Sequence, residues 1–128
     1  MKGMFQFAAC ASVLLSTSLI CQQAISEEAI KGDATRGEAA FKSACASCHN
    51  TTHEGSTVAA PGLQGVLERH DAAWLDNWIK GPENFAKEDA VAKHLIDSNK
   101  YGLKMPTLPA TQDAQSRADI IAYLKTLK

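Results

Sequence analysis

Cys45-Ala46-Ser47-Cys48-His49 is the stretch that decides the fold, because its C-x-x-C-H pattern is the attachment signal for a c-type haem. Two thiols three positions apart lie on one side of a helical turn, so both can add across the two vinyl groups of one porphyrin. His49 follows directly and is placed to be the proximal ligand of the iron. The motif therefore predicts one haem c, with Cys45 and Cys48 as thioethers and His49 as an axial ligand.

Three other interpretations of the motif remain open at the level of sequence. Cys45, Cys48, His49 and His53 can be written as a two-Cys, two-His zinc set, although structural zinc sites usually separate the two pairs by about a dozen residues or more. A thioredoxin-like dithiol expects a βαβ pattern, which the flanking sequence does not show. The third alternative is a structural disulfide between the two cysteines.

Residues 1–26 are predicted to be a cleaved secretory signal peptide, which leaves residues 27–128 as one domain. Lys2 supplies the positive start, residues 7–15 form an apolar run, and Ala24-Ile25-Ser26 places small residues before the cleavage point. A retained anchor would need ~20 mostly apolar residues, whereas polar side chains interrupt this run. The predicted location is therefore the periplasm.

Cleavage changes what the chain contains. From 128 residues, removal of 26 leaves 102, with Cys45 and Cys48 as the only cysteines and Met105 as the only methionine. Lys2 leaves with the signal, so 12 basic residues face 14 acidic ones, and this net charge of −2 argues against a nucleic-acid partner. A domain of this size is small for a self-sufficient core, and a buried porphyrin would supply much of the missing apolar contact.

The pattern of apolar residues predicts an all-α domain with long loops, since no stretch shows sustained strand alternation. Helices are predicted over residues 34–44, 72–80, 87–97 and 112–127, with N-caps at Asp33, Asp71 and Thr111. Gly37 and Phe41 share one face of the first helix. A glycine in mid-helix costs about 1 kcal/mol relative to alanine, which favours close approach by another helix at Gly37.

The later helices are predicted to present apolar faces to the core. In the second, Trp74, Leu75, Trp78 and Ile79 form one stripe while Asp76 faces water. In the third, Val91 and Leu95 point inward. In the last, the apolar face is traced by Arg117, Ile120, Ile121, Leu124 and Leu127.

The sixth position of the iron is assigned to Met105. This sole mature thioether lies in an irregular loop beside Pro106, far along the chain from His49, where it can cover the opposite face of the haem. His53, His70 and His94 are the alternative ligands. The remaining candidates for the haem environment are Pro61, Leu63, Trp74 and Trp78.

The chain resembles a class I c-type cytochrome over residues 33–127. The matching features are Gly37 and Phe41, the C-x-x-C-H motif, Pro61-Gly62-Leu63, Lys104-Met105-Pro106 and the closing residues 119–125. The resemblance implies the cytochrome c fold, with three to five helices and long loops around one covalently bound haem. It also implies that Gly37 and Phe41 pack across the last helix at Ile120 and Tyr123, that the Pro61 carbonyl accepts a hydrogen bond from His49, and that Met105 is the sixth ligand.

The expected function is periplasmic electron transfer through a haem ligated by His49 and Met105, with no catalysis by the protein itself. Expected partners are a periplasmic dehydrogenase as electron donor and an oxidase or reductase as acceptor, with Lys80, Lys100 and Lys104 as a basic patch for docking. The alternatives are a haem subunit of a dehydrogenase complex, and a peroxidase or gas-binding protein with a labile Met105. No acid–base constellation lies beside the motif, which disfavours independent catalysis.

Overall fold

A computed structural model describes residues 30–128, so the predicted signal peptide over residues 1–26 lies outside the described residues. Within the described part, no β-strand occurs, and the all-α prediction is confirmed. Six α-helices occur there, against the three to five expected, and two of the six are only four residues long. No helix within residues 30–128 has the length and apolar character needed to span a membrane. The helices are α1 (Ala34–Ala44), α2 (Val66–Arg69), α3 (Ala72–Lys80), α4 (Pro82–Phe85), α5 (Ala90–Asp97) and α6 (Ala114–Leu124), with a 3₁₀ turn at Pro109–Thr111.

Aspartate side chains begin the four longer helices. The carboxylates of Asp33 and Asp71 accept hydrogen bonds from the backbone amides three residues later, as predicted for α1 and α3. Asp89 caps α5 in the same way, and this helix begins at Ala90, so the predicted start at residue 87 was wrong. Residues 82–85 already form α4, and the chain turns between the two helices.

The start of α6 also differs from the prediction. Asp113, rather than Thr111, caps this helix by accepting from the amide of Ser116. The Thr111 hydroxyl is buried and lies within hydrogen-bond distance of two backbone carbonyls, Leu108 at 2.9 Å and Ile79 at 3.2 Å. Thr111 therefore ties the preceding loop to the end of α3.

The close packing of α1 on α6 confirms the role predicted for Gly37. A Cβ atom at this position would lie 1.9 Å from the backbone oxygen of Asp119 and 2.9 Å from the Cβ of Tyr123. One turn later, the rings of Phe41 and Tyr123 are tilted against each other with centroids 5.4 Å apart. Phe41 and Ile120 belong to the same buried cluster, so the packing implied by the family resemblance is confirmed.

The core lies between α1, α3 and α6, with Val66 added from α2. On α3, Leu75 and Ile79 are buried as predicted, whereas Trp74 and Trp78 are half-buried at the edge of the core. The inward prediction for Val91 was wrong, because its side chain is 50% exposed and Ala92 is the buried residue of α5. The core cluster consists of Phe41, Val66, Leu75, Ile79, Ile120, Ile121 and Leu124.

A buried ion pair joins α6 to α3. The Arg117 side chain is only 6% exposed, and its Nε donates to Asp76 Oδ1 at 2.7 Å. Its Nη1 donates to the backbone oxygens of Thr111 and Gln112, both at 2.9 Å. Asp76 was predicted to face water, but this pairing leaves its side chain 38% exposed.

Candidate functional site

The C-x-x-C-H motif forms a tight turn at the end of α1. The amides of Cys45 and Ala46 both donate to the carbonyl of Phe41, and the amides of Cys48 and His49 both donate to the carbonyl of Cys45. The chain therefore turns within the motif and stays anchored to the last turn of α1. Because Phe41 belongs to the core, these hydrogen bonds hold the motif against the core.

The two cysteines of the motif are free thiols, so the disulfide alternative is not the arrangement found. Cys45 is half-buried against the core, and this burial raises the pKa of its thiol. Cys48 is exposed. Both sulfur atoms are available for covalent attachment.

The part of the chain that the structure describes contains no ligand cluster of the kind that the zinc alternative requires. Among residues 30–128, no group of three or more His, Cys, Asp and Glu side chains is arranged to hold a metal ion. Cys45, Cys48, His49 and His53 are thus not gathered into one ligand set.

His49 is oriented by the carbonyl predicted for it. The Nδ1 atom lies 3.0 Å from the backbone oxygen of Pro61. A carbonyl oxygen only accepts hydrogen bonds, so Nδ1 carries the proton and donates it. In the neutral ring the other nitrogen, Nε2, is then the one free to bind a metal.

The loop that carries Pro61 is fixed by its own backbone contacts. The amide of Leu63 donates to the carbonyl of Asn50 at 3.0 Å. Gly62 is buried, and a Cβ there would lie 2.3 Å from the carbonyl oxygen of Thr52. Arg69 donates to the carbonyl of Gly62 at 2.8 Å. The Pro61 carbonyl is therefore held in place by both neighbouring segments.

Met105 lies half-buried in the long loop between α5 and the 3₁₀ turn. Its side chain packs against the same core cluster that Cys45, Leu63, Trp74 and Trp78 contact. The structure thus brings every apolar candidate for the haem environment, except the exposed Pro61, onto one core.

The histidines other than His49 occupy different surroundings. His53 and His94 are exposed. His70 stacks on the ring of Trp74 with centroids 3.9 Å apart, and burial together with the charge of Arg69 lowers its pKa. Trp74 in turn stacks on Trp78 with centroids 5.5 Å apart, so the two tryptophans act as an aromatic wall beside the core.

Ser56 is a residue that the sequence did not single out. Among the buried side-chain oxygen and nitrogen atoms of residues 30–128, its hydroxyl oxygen is the one without a hydrogen-bond partner. An unsatisfied buried hydroxyl costs about 1–3 kcal/mol. No motif marks such a serine, because its burial depends on how the loop folds.

Together these groups fit a haem c. The two free thiols suit covalent attachment, the hydrogen bond to Pro61 directs Nδ1 of His49 away from a metal, and the thioether of Met105 lies at the same core. The half-buried tryptophans and Leu63 offer apolar surface.

Comparisons with known proteins agree with a haem c as the bound group. Residues 34–128 match the protein family described as Cytochrome c. Cytochrome c2 of Rhodopila globiformis is 34% identical over 100 residues, covering 69% of this chain and 87% of the relative. Cytochrome c of Guizotia abyssinica is 33% identical over 91 residues, covering 66% of this chain and 81% of the relative. The solved cytochrome c domain of a Pseudomonas putida protein is similar in structure, with a TM-score of 0.58 and 32% identity over 70% of this chain and 85% of that domain.

Proposed function

Because this chain belongs to the cytochrome c family, whose members bind haem c covalently through cysteines and carry electrons to redox partners, we propose that it is a periplasmic carrier using His49 and Met105 as axial ligands. Cys45 and Cys48 hold the haem in this proposal. When bound, the haem supplies an iron that exchanges one electron between its ferric and ferrous states. The observation that carries the proposal is the hydrogen bond from His49 to Pro61.

His49 meets the requirements of a permanent ligand. The Pro61 carbonyl fixes both the orientation of the ring and the nitrogen that bears the proton. Pro61 is itself part of a loop anchored at Asn50 and Arg69. Such outer contacts keep a ligand in place through both oxidation states, which favours fast electron transfer.

Met105 is supported as the second ligand by its position and its chemistry. It is the only methionine beyond residue 4 of the sequence, and it is half-buried against the core that Cys45 also contacts. A thioether and an apolar environment both raise the reduction potential of a haem. A His/Met pair closes the iron to substrates, as a carrier requires.

The surface near Met105 suits a transient encounter with a redox partner. Tyr101 and Leu103 are exposed by 56% and 52%, and Lys100 lies over the Tyr101 ring. Lys104 pairs with Glu83 at 3.2 Å, so the basic patch expected from sequence is partly neutralised. We expect a weak dependence of docking on salt. The partners proposed are a periplasmic dehydrogenase as donor and an oxidase or reductase as acceptor.

The ligand assignment is tested with the purified haem protein. We expect the ferric protein to be low-spin and to show the weak long-wavelength sulfur-to-iron absorption band. Met105→Ala should abolish this band, lower the potential and open the iron to cyanide. An unchanged spectrum in Met105→Ala would contradict ligation by Met105 and would direct the search to His53, His70 and His94.

The carrier role is tested by stopped-flow mixing. Reduction by one periplasmic enzyme and oxidation by another, without turnover of a substrate by the protein alone, is the expected result. Rapid reduction of peroxide by the isolated protein would contradict it. A one-to-one complex with a dehydrogenase that survives gel filtration would replace the free carrier by a dedicated subunit.

A further inference from the structure

The loop that carries Met105, residues 99–108, is here called the strap. Its C-terminal end is held firmly to the protein by the residues that follow it. Thr111 lies within hydrogen-bond distance of the Ile79 carbonyl, and the Gln112 side chain donates to the Lys80 carbonyl at 2.9 Å. The buried Arg117 donates to the backbone oxygens of both Thr111 and Gln112. The end of the strap is therefore anchored to α3 and α6.

The N-terminal end of the strap depends on one side chain, that of Asn99. Its Oδ1 accepts hydrogen bonds from the amide of Tyr101 at 2.9 Å and the amide of Leu103 at 3.1 Å. Its Nδ2 donates to the carbonyls of Ala59 at 3.2 Å and Val58 at 3.4 Å. The carboxamide thus uses both of its donors and both lone pairs of its oxygen.

Besides the Asn99 side chain, the strap is held by a backbone hydrogen bond from the Gly102 amide to the Asn99 carbonyl at 2.9 Å and by the packing of Met105 on the core. Tyr101 and Leu103 are each more than half exposed, and Lys100 and Lys104 are exposed as well. The ion pair of Lys104 with Glu83 joins two side chains that are each more than half exposed, and such pairs contribute little. The Asn99 side chain is what ties the part of the strap before Met105 to the loop at Val58 and Ala59.

Asn99 also reaches the loop on the His49 side. Ala59 and Val58 lie two and three residues before Pro61, the residue whose carbonyl orients His49. This loop is closed by hydrogen bonds between Ser56 and both Ala59 and Ala60, and Ala59 has a positive φ of 57°. A non-glycine residue adopts this conformation only when its surroundings hold it there. The bonds from Asn99 are part of that hold.

We propose that Asn99 is a positioning residue that joins the His49 loop to the Met105 strap and so sets how readily Met105 leaves the iron. The inference rests on the proposed ligation by Met105. A carboxamide fits this place because it offers donors to one loop and acceptors to the other. Aspartate offers only acceptors, and alanine offers neither.

The test compares three variants as haem-loaded proteins. Asn99→Ala removes both sets of bonds, Asn99→Asp keeps the acceptors and removes the donors, and Asn77→Ala is a control at an exposed asparagine on α3. The measurements are the sulfur-to-iron band, the rate of cyanide binding to the ferric iron, and hydrogen exchange at the amides of Tyr101 and Leu103.

We expect Asn99→Ala to bind cyanide about tenfold faster than the parent and to exchange both amides faster. Asn99→Asp should also bind cyanide faster, by a smaller factor, while the two amides stay protected because its carboxylate still accepts from them. Asn77→Ala should match the parent in all three measurements. If Asn99 joins the two loops, loss of its donors alone should speed cyanide binding without exposing the amides of Tyr101 and Leu103.

Two outcomes overturn the inference and are distinguishable from each other. If the parent shows the sulfur-to-iron band and both Asn99 variants bind cyanide at the parent rate, Met105 is a ligand but Asn99 does not position it. If the parent lacks the band, the proposed ligation itself fails. Should Asn99→Ala not fold around its haem, Asn99→Asp decides the question alone, since parent-like cyanide binding in that variant refutes the bridge.

Discussion

Replacing Gly37 with alanine should destabilise the protein, although alanine is the better helix former. The added Cβ would lie 1.9 Å from the carbonyl oxygen of Asp119, whereas ordinary van der Waals contact begins at 3.4 Å. The difference of 1.5 Å has to be made up by moving α1 away from α6. The atom in the way belongs to the backbone, so no side-chain rotation relieves the contact.

The magnitude follows from two opposing effects. Overpacking in a well-packed interface typically costs about 1–3 kcal/mol and occasionally more, and this backbone clash belongs at the upper end. The higher helix propensity of alanine returns about 1 kcal/mol. The net loss of roughly 2 kcal/mol in the free energy of unfolding should lower the Tm of a domain of this size by roughly 8–16 °C.

The assay is thermal and denaturant unfolding of the haem-loaded protein, followed by circular dichroism. Gly81→Ala is the matched control, because its backbone is extended with φ −172° and no atom lies within 4 Å of a Cβ built there. We expect this control to differ from the parent by less than about 0.5 kcal/mol. A Gly37→Ala protein that equals or exceeds the parent in stability would refute the argument that α1 and α6 meet only around glycine.

Three further predictions concern charge and processing. Arg36 hydrogen-bonds to Asp119 and lowers the pKa of its carboxyl group, so the carboxylate stabilises the fold above its ordinary pKa of about 3.9 and this contribution is lost as the pH falls below that value. The Asp119→Asn variant should therefore be less stable than the parent at pH 7 and should lose less stability on acidification. Acid unfolding of the two proteins measures both effects. Arg117→Met should lower the free energy of unfolding in urea by about 2–4 kcal/mol. Asp76→Asn should lower it by only about 1 kcal/mol, because the oxygen of the new amide still accepts a hydrogen bond from Arg117. Equal losses in the two variants would contradict the view that Arg117 is the partner on which the ion pair depends. N-terminal sequencing of protein from the periplasm should begin at Glu27, whereas a start at Met1 in a membrane fraction would indicate an uncleaved anchor.

Local signals in the sequence predicted the helices that begin at clear caps. Asp33 and Asp71 each precede an apolar pattern, and α1 and α3 have the predicted bounds. At α6 two capping residues compete, and Asp113 is the cap because the Thr111 hydroxyl is used in a contact with Ile79, 32 positions earlier in the chain. A tertiary contact of this kind leaves no trace in the local pattern.

The candidate site was predictable where its chemistry is written in a short motif. Cys45, Cys48 and His49 are adjacent in sequence, and the carbonyl that orients His49 follows from the family resemblance. The contacts of Asn99 were missed, since they arise where loops distant in sequence meet.

The packing of α1 on α6 also bears on the order in which the parts of the fold appear during synthesis. Because α6 is the last helix of residues 30–128, α1 has no α6 to pack on until nearly all of that range has emerged. Closing a contact between helices this far apart in sequence is slow compared with the growth of α1 itself. The C-x-x-C-H motif, which directly follows α1, therefore emerges well before the helix that packs on α1.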